Sequence, residues 1–346
     1  ANAALTALDP DTGDILVMLG SPDYFDAAID GAVNVCLMPR QPGSAIKPLT
    51  YAAAFAAGYT PATMVLDVPT TFTTKEGNPY VPINYDLASH GPVLLREALG
   101  SSLNVVAVKV LERIGVRELI SLGHELGITT LQDTSHYGLA LTLGGGEVRL
   151  LELTAAYATL ASGGLRVEPR AILRVETVSG QVLWTQQPVE KQRVLDQRVA
   201  YLVTDILADD SARIPAFGEG SPLALSRPAA AKTGTTTDWR DNWTVGYTPQ
   251  LVAGVWVGNA DNSPMVSVSG IHGAAPMWHQ FMEEALKGEP VRTFTRPPGL
   301  VSAEICADSG MLPGPHCPHR RREWFIAGSE PRETCTMHRL VPVDRR

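Results

Sequence analysis

The sequence predicts an α+β domain, and three features carry that expectation. A short hairpin opens the chain, the middle is rich in apolar residues at three- and four-residue spacing, and three β-rich runs follow one another after Ala230. With 346 residues, 45% hydrophobic and 18% charged, the chain has a globular composition and can bury a sizeable core.

Each element has a local reason. Ala4 to Leu8 and Ile15 to Leu19 are strand-like runs around Asp9-Pro10-Asp11-Thr12-Gly13, whose Asp, Pro and Gly supply turn geometry. An Ala-rich stretch from Lys47 to Ala57, closed by Gly58 and Pro61, predicts a helix with Ser44 at or near its N-terminus. The polar, Pro-containing stretch Thr60 to Gly91 predicts a surface excursion able to border a groove. Helices are expected over Val93 to Arg113, Arg117 to Leu126, Leu150 to Ser162 and Gln197 to Asp209. Ala231 to Thr237, Asn242 to Tyr247 and Leu251 to Gly258 then predict three antiparallel strands, the last two joined by Thr248-Pro249-Gln250. A helix over Ala275 to Lys287 follows. Arg296-Pro297-Pro298-Gly299 opens a segment of little periodicity, which suggests a domain over 1–290 and a cysteine-containing tail over 291–346.

Composition excludes several roles. The net charge is −8, and the one compact basic run, Arg320 to Arg322, lacks interleaved aromatics, so nucleic acid is not an expected partner. Apolar runs such as Leu251 to Val257 fall far short of the roughly 20 residues that cross a bilayer, and the first residues have no leader pattern. Of four cysteines, Cys306, Cys317 and Cys335 crowd together while Cys36 stands apart.

Three short patterns carry chemistry: Ser44-Ala45-Ile46-Lys47, Ser102-Leu103-Asn104 and Lys232-Thr233-Gly234-Thr235. Singly they are weak, since an S-x-x-K pair arises roughly once by chance in a chain of this length. Their order, and the placing of Lys-Thr-Gly on a predicted strand, make the joint signal strong. Ser44 and Lys47 would share a helix face, so that the amine reaches the hydroxyl as base. Burial and a second cation, Lys232, would favour the neutral amine this requires. The backbone N–H groups of Ser44 and Thr235 could hold a developing oxyanion. Ser102 and Asn104 offer a hydroxyl to shuttle a proton and an amide to bind a substrate carbonyl; read alone, they fit an N-cap equally well. Lys232, Thr233 and Thr235 suit the carboxylate of an extended peptide along the strand edge, and Gly234 permits close backbone approach.

Together these motifs resemble the serine-acylating, penicillin-recognising superfamily of penicillin-binding proteins and several β-lactamases. Arg40-Gln41-Pro42-Gly43-Ser44, Asn84-Tyr85-Asp86, Leu95-Arg96-Glu97-Ala98-Leu99, Val245-Gly246-Tyr247-Thr248-Pro249 and Val255-Trp256-Val257-Gly258 resemble class A members. In the tail, Glu323 to Gly328, Glu330-Pro331 and Cys335 are similar to the end of the 1C branch. The resemblance implies a five-stranded antiparallel sheet flanked by helices, with a helical subdomain, of the β-lactamase/transpeptidase type. It implies a D,D-transpeptidase: Ser44 attacks the D-Ala-D-Ala bond of a peptidoglycan stem peptide, the acyl group passes to an amine of a neighbouring stem, and β-lactams trap the acyl-enzyme. Ser44, Lys47, Ser102 and Asn104 would be catalytic, and Lys232, Thr233, Gly234 and Thr235 substrate-binding, with no cofactor or metal. Class A members carry a membrane helix and a glycosyltransferase domain upstream. The expectation is therefore an excised domain of an extracytoplasmic, membrane-anchored parent, periplasmic or at the cell surface.

Two alternatives share the motifs. A β-lactamase needs a placed carboxylate, yet no E-x-x-L-N-type segment lies between Ser102 and Lys232. A non-catalytic β-lactam sensor would need a joined signalling segment. An α/β-hydrolase is unsupported, because no G-x-S-x-G elbow occurs. For the tail, His316-Cys317-Pro318-His319 and Cys335-Thr336-Met337-His338 could form a zinc site with Cys306. The spacings match no standard finger, and the implied compartment is oxidising, which favours one disulfide of unspecified pairing. Cys36 reads as a small buried hydrophobe rather than a second nucleophile.

Overall fold

The computed structural model describes residues 1–266 and 268–341. Five strands form one antiparallel sheet: β1 (Asn2–Leu8), β2 (Ile15–Leu19), β3 (Ala230–Thr235), β4 (Asp241–Tyr247) and β5 (Val252–Gly258), in the spatial order β3-β4-β5-β1-β2. The opening hairpin thus completes a sheet whose other strands lie more than two hundred residues later, with Leu5 opposite Val255 on one side and Leu19 on the other.

Strand alternation explains the layers. On β4, Trp243, Val245 and Tyr247 project into the large core with α1 (Lys47–Ala56), α5 (Leu150–Ala161) and α6 (Gln197–Leu207). On β5, Ala253, Val255 and Val257 face the opposite way, against Trp278 and Met282 of α8 (Ala274–Ala285). Residues i and i+2 share a face of a strand, and with the sheet covered on both sides every residue of β4 and β5 is buried, the polar Asp241, Asn242 and Thr244 among them. α4 (Val116–Glu125) closes the helical side, packing Leu119 and Ile120 into the same large core.

Two expectations are corrected. The helix predicted over Val93 to Arg113 is interrupted. Gly91–Leu94 pairs with Met64–Asp67 as a short ladder, α2 covers Leu95–Gly100 and α3 covers Asn104–Ile114. Between the helices Ser102 takes φ +59°, its N–H bonds the Leu99 carbonyl at 3.2 Å, and the Leu103 N–H bonds the Ala98 carbonyl at 2.9 Å. That pair of bonds around a left-handed residue ends a helix, a place where glycine is usual.

The tail is also more regular than its sequence suggests. β6 (Leu300–Cys306) and β7 (Arg320–Ile326) form a seven-residue antiparallel ladder, with Ile305 and Phe325 packed on Ala62 and Leu94. The two strands are joined by a long connection rather than a tight turn, so no hairpin signal marks them. In place of the disulfide favoured for this segment, the structure has Cys306, Cys317 and Cys335 as free thiols gathered with His338 at one point.

Candidate active site

Ser44 sits on a 3₁₀ turn, Gly43–Ile46, that feeds directly into α1. Three glycines let this turn lie against its neighbours. Gly43 has φ +54°, and a Cβ there would fall 2.7 Å from the Thr235 nitrogen. A Cβ on Gly234 would fall 2.0 Å from the Pro42 carbonyl oxygen, and one on Gly144 2.2 Å from the Gly43 nitrogen. The Ser44 backbone is therefore pressed against β3, at a separation that any side chain would prevent.

Ser44 opens onto a cavity of about 980 Å³, which Ser102, Asn104, Thr233 and Thr235 also line. Beneath it lie two buried lysines. Lys47, fully enclosed at the start of α1, donates to the Ser102 carbonyl at 2.6 Å, to Asn104 Oδ1 at 2.7 Å and to Ser102 Oγ at 3.2 Å. Lys232 on β3 donates to the same Ser102 Oγ at 2.9 Å and to the Thr233 carbonyl at 3.0 Å. One hydroxyl thus lies between two amines, and among the described residues neither amine meets a carboxylate.

Charge is costly in such a place. Burial, and secondarily the nearby Lys232, holds the Lys47 amine well below the usual lysine range. Burial, with the Arg213 guanidinium second, lowers Lys232 to about 7. Arg213 projects from α7 (Asp210–Phe217), buried and ion-paired with Asp210.

The sequence-predicted residues converge, with two differences of detail. Among the described residues the hydrogen bonds of Lys47 go to Ser102 and Asn104, and none goes to Ser44. Asn104 spends both ends of its carboxamide inside the protein, since Nδ2 donates to the Ile83 carbonyl at 2.7 Å. In the free protein it orients Lys47 instead of facing a substrate carbonyl. Asn104 begins α3, as an N-cap reading half anticipates, but the cap is supplied by Asn84, whose Oδ1 accepts from the Asn104 N–H at 2.8 Å. Asn84 in turn donates to buried Asp67 at 2.8 Å.

Residues around the cavity include several that motif reasoning passes over. The Thr60 to Gly91 excursion does border it, through Asn84, Tyr85, Asp86 and His90. His90 bridges Asp67 at 2.6 Å and Asp86 at 3.0 Å, and its hydrogen bond to Asp67 raises the imidazole above its ordinary value. Arg213 and His90 carry no local spacing that could mark them, Asn84 and Gly43 are marked only as parts of family-like strings, and Gly144 shows only that a turn is near. Cys36 is fully buried, with Sγ close to the Leu5 and Leu19 carbonyls, and burial pushes its thiol up to about 11, so it packs as a small apolar group.

Residues 3–283 match the family model for the penicillin-binding protein transpeptidase domain. The chain belongs to that family. Residues 296–340 match the model for the penicillin-binding protein 1A C-terminal domain. The transpeptidase chain is 36% identical over 338 residues to penicillin-binding protein 2D of Bacillus subtilis, covering 95% of this chain and 48% of the relative. It is 33% identical to penicillin-binding protein 1A of Aquifex aeolicus, covering 96% of this chain and 44% of that protein. It thus spans about half the length of the curated relatives it matches.

Among solved structures, penicillin-binding protein 1A from Haemophilus influenzae superposes with a TM-score of 0.86 at 27% identity, covering 96% of this chain and 54% of that one. PonA1 from Mycobacterium tuberculosis in complex with penicillin V superposes with a TM-score of 0.73 at 25% identity, covering 85% and 80%. The five-stranded antiparallel sheet between helices is the transpeptidase fold expected from the motifs. The narrower likeness of the tail to the 1C branch gains no support here, as its match is to the 1A model.

Proposed function

We propose that this transpeptidase domain cross-links peptidoglycan stem peptides through a Ser44 acyl-enzyme. The observation that carries the reading is the Ser102 hydroxyl held between two buried, carboxylate-free lysines beside Ser44. Neutral Lys47 takes the Ser44 proton as Oγ attacks the carbonyl of the penultimate D-Ala. The tetrahedral oxyanion sits between the N–H groups of Ser44 and Thr235, where one such donor contributes about 3 kcal/mol. As the C–N bond breaks, Ser102 Oγ passes a proton to the departing D-Ala amine and regains one from the lysine pair. The amine of a second stem then attacks the ester, with Lys47 again as base, and Ser44 is released.

Substrate placement follows from β3, which is the edge strand of the sheet on the Ser44 side. An extended peptide can add along that edge, with its terminal carboxylate against Thr233 and Thr235, which line the cavity above the buried Lys232 cation, while Gly234 keeps the serine turn close. A β-lactam presents the same carboxylate and a reactive carbonyl, and would stop at the acyl-enzyme. The domain would act outside the cytoplasm, carried by a membrane-anchored parent.

Intact-protein mass after incubation with a labelled penicillin tests this. The expected result is one adduct on the parent that persists for hours, none on Ser44→Ala, and transfer of a stem-peptide analogue to an added amine. Rapid loss of the adduct with turnover of the drug would make the protein a β-lactamase, and absence of any adduct would overturn the proposal.

A further inference from the structure

We propose that Cys306, Cys317, Cys335 and His338 form a tetrahedral zinc site that staples the C-terminal hairpin. Three separate segments supply the ligands. Cys306 ends β6, Cys317 lies on the connection before β7, and Cys335 and His338 follow β7 three residues apart. Their four ligand atoms lie within 4.8 Å of one another. His338 Nδ1 stands 3.6 Å from Cys306 Sγ and 3.5 Å from Cys335 Sγ. A tetrahedron with Zn–S near 2.3 Å and Zn–N near 2.0–2.1 Å has S···N edges of about 3.5 Å, so the spacing is that of ligands sharing one ion.

The surroundings suit a metal better than a disulfide. His338 Nε2 pairs with the Asp308 carboxylate at 3.2 Å, an arrangement that places the proton on Nε2 and turns the Nδ1 lone pair toward the sulfurs. The Gly314 N–H donates to Cys317 Sγ at 3.2 Å, a bond that stabilises a thiolate. The three cysteines are buried, and four protein ligands leave no open position, which makes the site structural. Three thiolates and an imidazole around one centre select zinc over the oxygen-seeking cations. A disulfide would use two of the sulfurs and leave the third cysteine and the carboxylate-paired histidine without a role.

The staple would fix the strand that carries Arg321, which lines the cavity, and Glu323, which pairs with Arg96. Metal analysis of the chain purified under reducing conditions without chelator should find about one zinc per chain, and cobalt(II) put in its place should give the spectrum of a tetrahedral thiolate site. Cys335→Ser and His338→Ala should lose that metal, and His338→Cys should retain it. Penicillin acylation of Ser44 on each variant reports separately that the catalytic domain is folded. Less than about a tenth of an equivalent of metal in zinc-supplemented protein, zinc undiminished in Cys335→Ser, or a mass two hydrogens low from a bond between two tail cysteines would each overturn the site.

Discussion

Ser102 is a serine where backbone geometry asks for glycine. Its left-handed conformation costs on the order of 1 kcal/mol, and what it contributes is an oxygen within hydrogen-bond reach of both Lys47 and Lys232. The lysines it joins are destabilised as cations, and their titration sets the expected pH dependence. Lys232 holds its proton below about 7 and loses it above. A substrate carboxylate that meets this cation is bound well only on the acid side, so the second-order rate of penicillin acylation should fall as pH rises through about 7. Lys232→Arg, which stays charged, should remove that descending limb; a parent rate that is level across this range would show that the charge of Lys232 is not used. The same shift has a stability consequence. An unfolded lysine keeps its proton to about 10.4, so the unfolded chain binds more protons between about 7 and 10.4, and this contribution raises stability as pH rises through that window.

At the scale of elements, the proposed catalysis depends on two backbones meeting. The turn Gly43–Ile46 and strand β3 approach so closely that Gly234 has the Pro42 carbonyl where its Cβ would be. Gly234→Ala must push the turn and the strand apart, because the obstructing atom is backbone. Displacement near 1 Å costs about a hundredfold in rate, and the overpacking costs about 1–3 kcal/mol. Acylation kinetics beside urea unfolding would check this; a variant that acylates at the parent rate would show that the apposition is not needed. The interruption between α2 and α3 belongs to the same scale. Apolar spacing runs through Val93 to Arg113 without a proline or glycine stop apart from Gly100, so periodicity alone predicts one helix. Ser102 breaks it, its carbonyl accepting from Lys47 and its hydroxyl bonding both lysines, contacts made with segments far away in the chain.

Across the whole molecule, the tail is tied to the catalytic body by a buried charge cluster. Arg96 on α2 donates to both carboxylate oxygens of fully buried Glu323 at 2.6 Å, and also reaches Asp205 and, at 3.1 Å, Asp209. Arg321 joins Glu97 at 3.0 Å beside the cavity. Removing one member of a buried pair leaves its partner uncompensated, at a cost of about 3 kcal/mol. Glu323→Gln should lower unfolding free energy by about that amount, read by chemical denaturation; a loss under about 0.5 kcal/mol would mean that Asp205 and Asp209 alone satisfy Arg96. The string Leu95 to Leu99 drew notice only as a family likeness, and the cluster supplies its physical reason.

What the sequence determined by itself was whatever is written in local spacing. The strands Ala230–Thr235, Asp241–Tyr247 and Val252–Gly258 and the helix Lys47–Ala56 were legible because burial on a strand or helix repeats with a short period. The motifs holding Ser44, Lys47, Ser102, Asn104 and Lys232 were legible because that chemistry needs particular side chains. Tertiary structure decided which of them touch: that Ser102 and not Ser44 bonds Lys47 in the free protein, that Arg213 adds its charge to Lys232, that Asn84 caps α3, and that the cysteines of the tail gather around His338. These are contacts between segments tens to hundreds of residues apart, and such contacts are set by how layers pack, which no spacing along a single strand or helix records.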